Sequence, residues 1–266
     1  MESGPIVYYS RGMSFYGERL ERLYGCSKYN PQTDRHKPVF FSSLYFGDDY
    51  AVLQQHRGPV SIFWNGSDVI RLIRSPDWQV LLSAIKADHF CHNTQLQNEL
   101  ASVGISATIY PIFFGDVNGY KPSFKPSSTP HVFMVSHPGR EIEYGVGIVQ
   151  KIAPEVPDVI FHVFGDEGES RANIRFHGDV AEEIMDQLIT EYQGCLRLNR
   201  HDGFSQTVIK SILLAQYPIC YQDIPGTMRA QTDDQIIDCL NQLKTKTEPN
   251  LELRERYIRQ FSKLPV

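Results

Sequence analysis

Three loops of this 266-residue chain carry residue types that could do chemistry, and each follows an apolar run. Asn199-Arg200-His201-Asp202-Gly203-Phe204-Ser205-Gln206-Thr207 crowds three ionisable side chains ahead of a helix that contains Lys210. Such crowding at the carboxyl end of a buried strand is costly for helix capping alone, although Asp202 or Ser205 could cap, so the loop reads as a ligand site. Ser136-His137-Pro138-Gly139-Arg140-Glu141 offers a glycine for close backbone approach, the N–H groups of the next helix and the guanidinium of Arg140. That set suits a diphosphate, and it also fits an ordinary turn into a helix. Phe164-Gly165-Asp166-Glu167-Gly168-Glu169 is glycine-rich but acidic, which favours hydroxyl recognition or solvent exposure over phosphate. In the first half, Asn65-Gly66-Ser67-Asp68 follows a strand. There Asp68 either orients or deprotonates a hydroxyl, or caps the helix starting at Val69.

These loops need a scaffold, and the sequence supplies one by alternating short apolar runs with stretches of helical period. First-half strands are expected at 6–9, 38–42, 60–64, 89–91 and 107–110, with helices over 77–87 and from 93 or 94 to 103. Ser75-Pro76 opens the first of these helices and Gly104 stops the second. In the second half, strands at 132–135, 159–164, 173–176, 195–198 and 218–221 alternate with helices over 142–152, 181–191, 205–215 and 233–243. A last amphipathic helix spans 251–264, its stripe formed by Leu251, Arg254, Tyr257, Ile258, Phe261 and Leu264. This order predicts an α/β protein of two doubly wound parallel-sheet domains facing a cleft. The expected division is a shortened first domain over 1–115, a linker over 116–130, a second domain over 131–247, and a helix over 248–266 that crosses back. Phe113 and Phe114 are expected to pack the junction.

Composition narrows the function. Lys plus Arg number 26 against 31 Asp plus Glu, a formal charge of −5, which speaks against nucleic acid as a partner. No uncharged apolar run is long enough for a membrane span, and the amino terminus lacks the pattern of a signal peptide, so a cytoplasmic location is expected. The five cysteines are scattered and include no C-x-x-C pair. His89 and His92 form an H-x-x-H without a second ligand pair, and Asp48-Asp49 and Asp233-Asp234 read as turn or helix-start residues. No metal site is expected.

The stretch GREIEYGVGIVQKIAPEVPDVIFHVFGDEGE, followed by NIRFHGDVAEEIMDQLI and CLRLNRHDGFSQTVIKSILLAQYPICY, resembles the nucleotide-sugar-binding domain of GT-B fold glycosyltransferases. It is most similar to the large retaining group with a Glu-x7-Glu motif. The likeness covers roughly 132–221; FWNGSDVIRLI and DHFCHNTQLQNELASVGISATIYPIFF resemble the acceptor domain more loosely. It implies metal-independent, retaining transfer of a sugar from a nucleotide sugar to an acceptor hydroxyl on a glycan, lipid or protein, with no further cofactor. Catalysis is expected of Asp202, at the first motif position, and of His201 and Asp68 from their loops. Donor binding would fall to Gly139, Arg140, Gly165, Asp202, Gly203, Phe204, Ser205, Gln206, Lys210 and Gly12. Two departures stand out. Asp202 and Lys210 hold the positions of the two motif glutamates, and Lys210 has no acceptor for a ribose hydroxyl. Tyr144 stands where the family keeps the lysine that follows Arg140. The short first domain implies a companion subunit or a second copy, and loss of the second glutamate leaves a non-catalytic sugar- or nucleotide-binding protein as the alternative.

Overall fold

The computed structural model describes residues 4–261 and 263–265. Residues 1–3, 262 and 266, which fall within the expected first domain and terminal helical segment, lie outside the described residues. The chain forms two compact units. One comprises Met1–Asp116, His201–Phe204 and Gln260–Val266, and the other Val117–Arg200 and Ser205–Arg259.

The first unit is built on strands β1 (Ile6–Tyr9), β2 (Ser27–Lys28), β3 (Val39–Ser42), β4 (Val60–Trp64), β5 (Asp88–Cys91) and β6 (Ala107–Ile109). Every pairing is parallel, in the order β2-β1-β3-β4-β5-β6. All four residues of β3 are buried, as expected of a central strand with both faces covered. Its helices are α1 (Ser14–Tyr24), α2 (Gly47–Gln55), α3 (Ser67–Ile73), α4 (Pro76–Ser83) and α5 (Thr94–Ser102). Leucines and aromatics pack one sheet face around Phe41, Trp64 and Leu72, and the other around Val7, Phe40 and Phe114. Gly25 ends α1 in the left-handed conformation at φ 64°.

The second unit repeats the plan with β7 (His131–Val135), β8 (Ile160–Phe164), β9 (Ile174–Phe176), β10 (Gly194–Arg197), β11 (Ile219–Cys220) and β12 (Met228–Arg229). Here the order is β12-β11-β10-β7-β8-β9, again all parallel. Helices α6 (Glu141–Tyr144), α7 (Val146–Ile152), α8 (Glu182–Leu188), α9 (Gln206–Leu213), α10 (Asp233–Leu243) and α11 (Leu251–Phe261) complete it. No helix among the described residues is long and apolar enough to cross a membrane.

Several expectations are corrected. The helix over 142–152 is two helices, because Gly145 turns the chain at φ 82°. The helix over 181–191 ends in a 3-10 turn at Ile189–Glu191. On α11 the buried positions are Leu253, Tyr257 and Phe261, whereas Leu251, placed on the apolar stripe, is exposed. Residues 117–130 are not a bare linker, since Phe124 lies in the core of the second unit and the Ser123 N–H donates to the Leu214 carbonyl. The sequence reading also gave no helix for 14–24 or 47–55.

Candidate functional site

In open parallel sheets, ligands bind beyond the carboxyl ends of the strands, where the order of connection reverses. In the second unit that switch lies between β7 and β10, so the loops after these two strands flank it. Gly139 has φ 78°, and its N–H donates to the Glu141 carboxylate at 2.6 Å. Arg140 precedes α6 and makes a two-pronged ion pair with Glu143, Nε to Oε2 at 2.8 Å and a terminal nitrogen to Oε1 at 2.6 Å. Both partners are half exposed, so the pair is weakly held and remains accessible to solvent. Beyond β8, Gly165 has φ 76°, and a Cβ there would stand 2.4 Å from the Ser136 carbonyl oxygen, so the position requires glycine. Asp166 is buried and accepts from the Ser136 hydroxyl at 3.3 Å. On the other side of the switch, Ser205 and Gln206 begin α9, whose first N–H groups lie at the carboxyl end of β10.

Lys210 is further along α9 and nearly buried, with a side-chain exposure of 4%. Its ammonium donates to Glu182 at 2.6 Å and to Asp186 at 2.7 Å, both on α8, and Asp186 also accepts from the Tyr120 hydroxyl at 2.6 Å. The charge of Lys210 is therefore matched by two carboxylates of its own unit.

His201, Asp202, Gly203 and Phe204 belong to the first unit. Asn93, at the N-cap of α5, donates through one amide group to the carbonyls of Asp202 at 2.9 Å and Gly203 at 2.8 Å. A Cβ on Gly203 would stand 2.1 Å from the Asn65 carbonyl oxygen, so only glycine fits. His201 meets Glu99 at 2.8 Å, the Asp202 carboxylate accepts from the Gly203 N–H at 2.9 Å, and the Phe204 ring meets Phe261 edge-on at 5.6 Å. Asp68 is fully buried on α3 and accepts from the N–H groups of Asn65, Gly66 and Val69. Burial pushes its carboxyl up, and the amide donors oppose that shift. Gly12 is exposed after β1, against the rings of Tyr45 and Phe46.

The structure thus gathers Gly139, Arg140, Gly165, Ser205 and Gln206 around the carboxyl ends of one sheet. It sets 201–204 beside Asn65 and Asn93 on the other, and turns Lys210 to α8. Sequence reasoning missed a polar chain at this first-unit edge. Asn65 donates to Ser43 Oγ at 2.5 Å, and its carbonyl oxygen lies 3.1 Å from His92 Nε2, which must therefore carry the ring proton. His92 Nδ1 is then a buried acceptor with no partner. Burial pushes the His92 pKa down to about 3, with Asp202 pulling the other way. Ser43 holds φ 69°, a left-handed conformation unusual for serine. The usable signal was position, since Asn65 and His92 each directly follow a strand.

No family model matches the sequence, and no curated protein matches it. Solved structures do match in fold. The α,α-trehalose 6-phosphate synthase of Burkholderia multivorans aligns at 10% identity over 86% of this chain and 68% of its own, with a TM-score of 0.63. The lipopolysaccharide outer core galactosyltransferase WaaB aligns at 14% identity over 94% and 80%, with a TM-score of 0.59. TarM aligns at 9% identity over 84% of this chain, with a TM-score of 0.59, and the chain spans only 52% of its length. With its two six-stranded parallel sheets flanked by helices, the chain has the α/β fold of the GT-B glycosyltransferases.

Proposed function

We propose that the protein transfers a sugar from a nucleotide-sugar donor to an acceptor hydroxyl, without a metal and with retention at the anomeric carbon. The observation that carries this reading is the pair of loops flanking the switch of the second unit, with Gly139–Arg140 on one side and the amino end of α9 on the other. A guanidinium and the first N–H groups of a helix at such a switch suit a diphosphate. A structural neighbour, the pneumococcal O-GlcNAc transferase GtfA, was solved with UDP and GlcNAc at 13% identity and a TM-score of 0.53.

In the reaction the bond from anomeric carbon to diphosphate oxygen breaks and a bond to the acceptor oxygen forms, and the acceptor proton leaves with the diphosphate. Arg140 and the Ser205–Gln206 N–H groups would stabilise charge on the departing diphosphate. Asp202 would face the sugar, with Gly203 and Phe204 shaping its seat. His201 and Gly12 would line it, Gly165 would serve the donor within the second unit, and Asp68 would act through the Asn65–Gly66 turn that it holds. The inferred setting is the cytoplasm, with a companion subunit as in the neighbouring GtfA/B complex.

Lys210 favours a second reading, because a lysine bonded to two carboxylates cannot accept a ribose hydroxyl. On that reading the fold binds a sugar or nucleotide and turns nothing over. Calorimetric titration with UDP- and GDP-sugars, followed by donor-hydrolysis and transfer assays, separates the two. Binding with turnover, reduced at least tenfold in Asp202→Ala, about 1.4 kcal/mol of transition-state stabilisation, supports the transferase. Binding without turnover supports the second reading, and absence of both removes each.

A further inference from the structure

The first sheet has its own switch, between β1 and β3, and the residues just beyond it form a cationic–aromatic site. Arg11 follows β1 in a 3-10 turn, Tyr45 and Phe46 follow β3, and Arg71 lies on α3, which follows β4. Since β1, β3 and β4 are neighbours in the sheet, their carboxyl-end connections converge. The Phe46 ring carries the Arg11 guanidinium at 4.3 Å and the Arg71 guanidinium at 5.3 Å, and Arg71 also lies 5.7 Å from the Tyr45 ring. Arg71 donates to the Tyr45 carbonyl at 3.2 Å, which fixes its direction.

Two arginines against one ring would ordinarily be balanced by acids, and among the described residues neither forms an ion pair. The two buried carboxylates nearby are committed elsewhere. Asp49 accepts from the Tyr8 hydroxyl and the N–H groups of Tyr45 and Phe46, and Asp68 from those of Asn65, Gly66 and Val69. Asp48 is exposed in the first turn of α2. Both guanidiniums are exposed, permanently charged, and have N–H donors to spare. Anchored on half-buried aromatic rings, the two charges are presented to one anionic group.

We propose that this site binds the acceptor and selects one bearing a phosphoryl group, Arg11 and Arg71 holding the phosphoryl oxygens while Phe46 and Tyr45 keep the two guanidiniums in place. The inference rests on the transferase reading only for the word acceptor; the anion site stands on its own geometry. The test is calorimetry on the full chain without donor, using glucose 6-phosphate, glucuronate, glucose and UDP as separate probes. Glucose 6-phosphate should bind at least tenfold more tightly than glucose, with glucuronate between them, and Arg71→Gln and Arg11→Gln should each reduce its affinity about tenfold. UDP affinity should be unchanged in both variants. Phe46→Leu, which keeps both arginines but removes the ring that places them, should weaken glucose 6-phosphate and glucuronate and leave glucose unchanged. Equal binding of glucose and its phosphate, or wild-type affinity in both arginine variants, overturns the proposal. Loss of UDP binding in the arginine variants also overturns it, because the site would then serve the donor. Phosphate-selective binding without turnover of any donor leaves the site standing and removes the transferase reading, while turnover of neutral acceptors unaffected by Arg71→Gln does the reverse.

Discussion

One amide group, that of Asn93, donates to both the Asp202 and the Gly203 carbonyl, while the oxygen of the same side chain caps α5 by accepting from the Leu96 N–H at 3.0 Å. A single residue therefore ties the 201–204 loop to the start of a helix far away in sequence. Asn93→Asp retains the cap and loses the donors, so it should cost about 1–2 kcal/mol, whereas Asn93→Ala loses both and should cost about 1 kcal/mol more. Urea denaturation of the two variants measures both contributions; a parental midpoint in Asn93→Asp would mean that the loop contacts contribute nothing.

Lys210 holds α9 to α8 through Glu182 and Asp186. Lys210→Met should destabilise the protein by about 3 kcal/mol, because two partly buried carboxylates are left facing each other without their cation. Adding Asp186→Asn should restore part of that loss. Lys210→Glu, which re-creates the spacing of two acidic residues, should be less stable still. A melting temperature in Lys210→Glu at or above that of the parent would show that the ion pair is not what places this lysine.

Acid should loosen the second unit. His162 lies in the middle of a row, with its Nε2 2.9 Å from His131 Nδ1 and its Nδ1 2.8 Å from His177 Nε2 and 3.1 Å from the Tyr192 hydroxyl. Burial first, then its two histidine neighbours and Arg175, push its pKa down from 6.5 to about 3. Below pH 6.5 the unfolded chain binds a proton that the folded chain refuses until about pH 3, so stability falls with pH through that window. His162 alone should remove about 2 kcal/mol between pH 7 and pH 5. His162→Gln should flatten the pH dependence of the urea midpoint, with the other histidines that burial lowers, His56, His89, His92, His131 and His177, supplying what remains. An unaltered slope would clear His162 of this role.

Arg140 is held by Glu143 at an exposed edge, where the pair itself stabilises little. Arg140→Ala should thus leave the melting temperature within about 2 °C and weaken UDP binding roughly tenfold, or 1.4 kcal/mol. Glu143→Gln removes the competing carboxylate and should not weaken it. Calorimetry on both variants decides whether the guanidinium serves the ligand or only its neighbour.

The alternation of apolar runs in the sequence made the parallel sheets legible: Val60–Trp64 and Ile6–Tyr9 are strands at the expected residues. Boundaries failed where a backbone conformation decided them, as at Gly145. Ser14–Tyr24 was missed because aromatic and charged residues alternate there with only Gly17 and Leu20 buried, so it has no broad apolar face. At the candidate site, the loops after β7, β8 and β10 could be read from strand-then-glycine patterns. The partners of Lys210 and the hold of Asn93 on 202–203 could not, since they join residues 24 to 110 positions apart and no local spacing encodes them.

The first unit is not a continuous stretch of chain, because four residues from the middle of the sequence and the last few belong to it. A fragment ending at Asp116 would lack both. The Asn93 amide would lose the two carbonyls that it serves, and Phe113 the ring of Phe261, 6.3 Å away. The two units alternate along the sequence, and cutting the gene after Asp116 would produce an amino-terminal piece without two segments of its own unit. Co-expression of the severed halves should rescue solubility, because the remainder of the polypeptide carries the complementing segments.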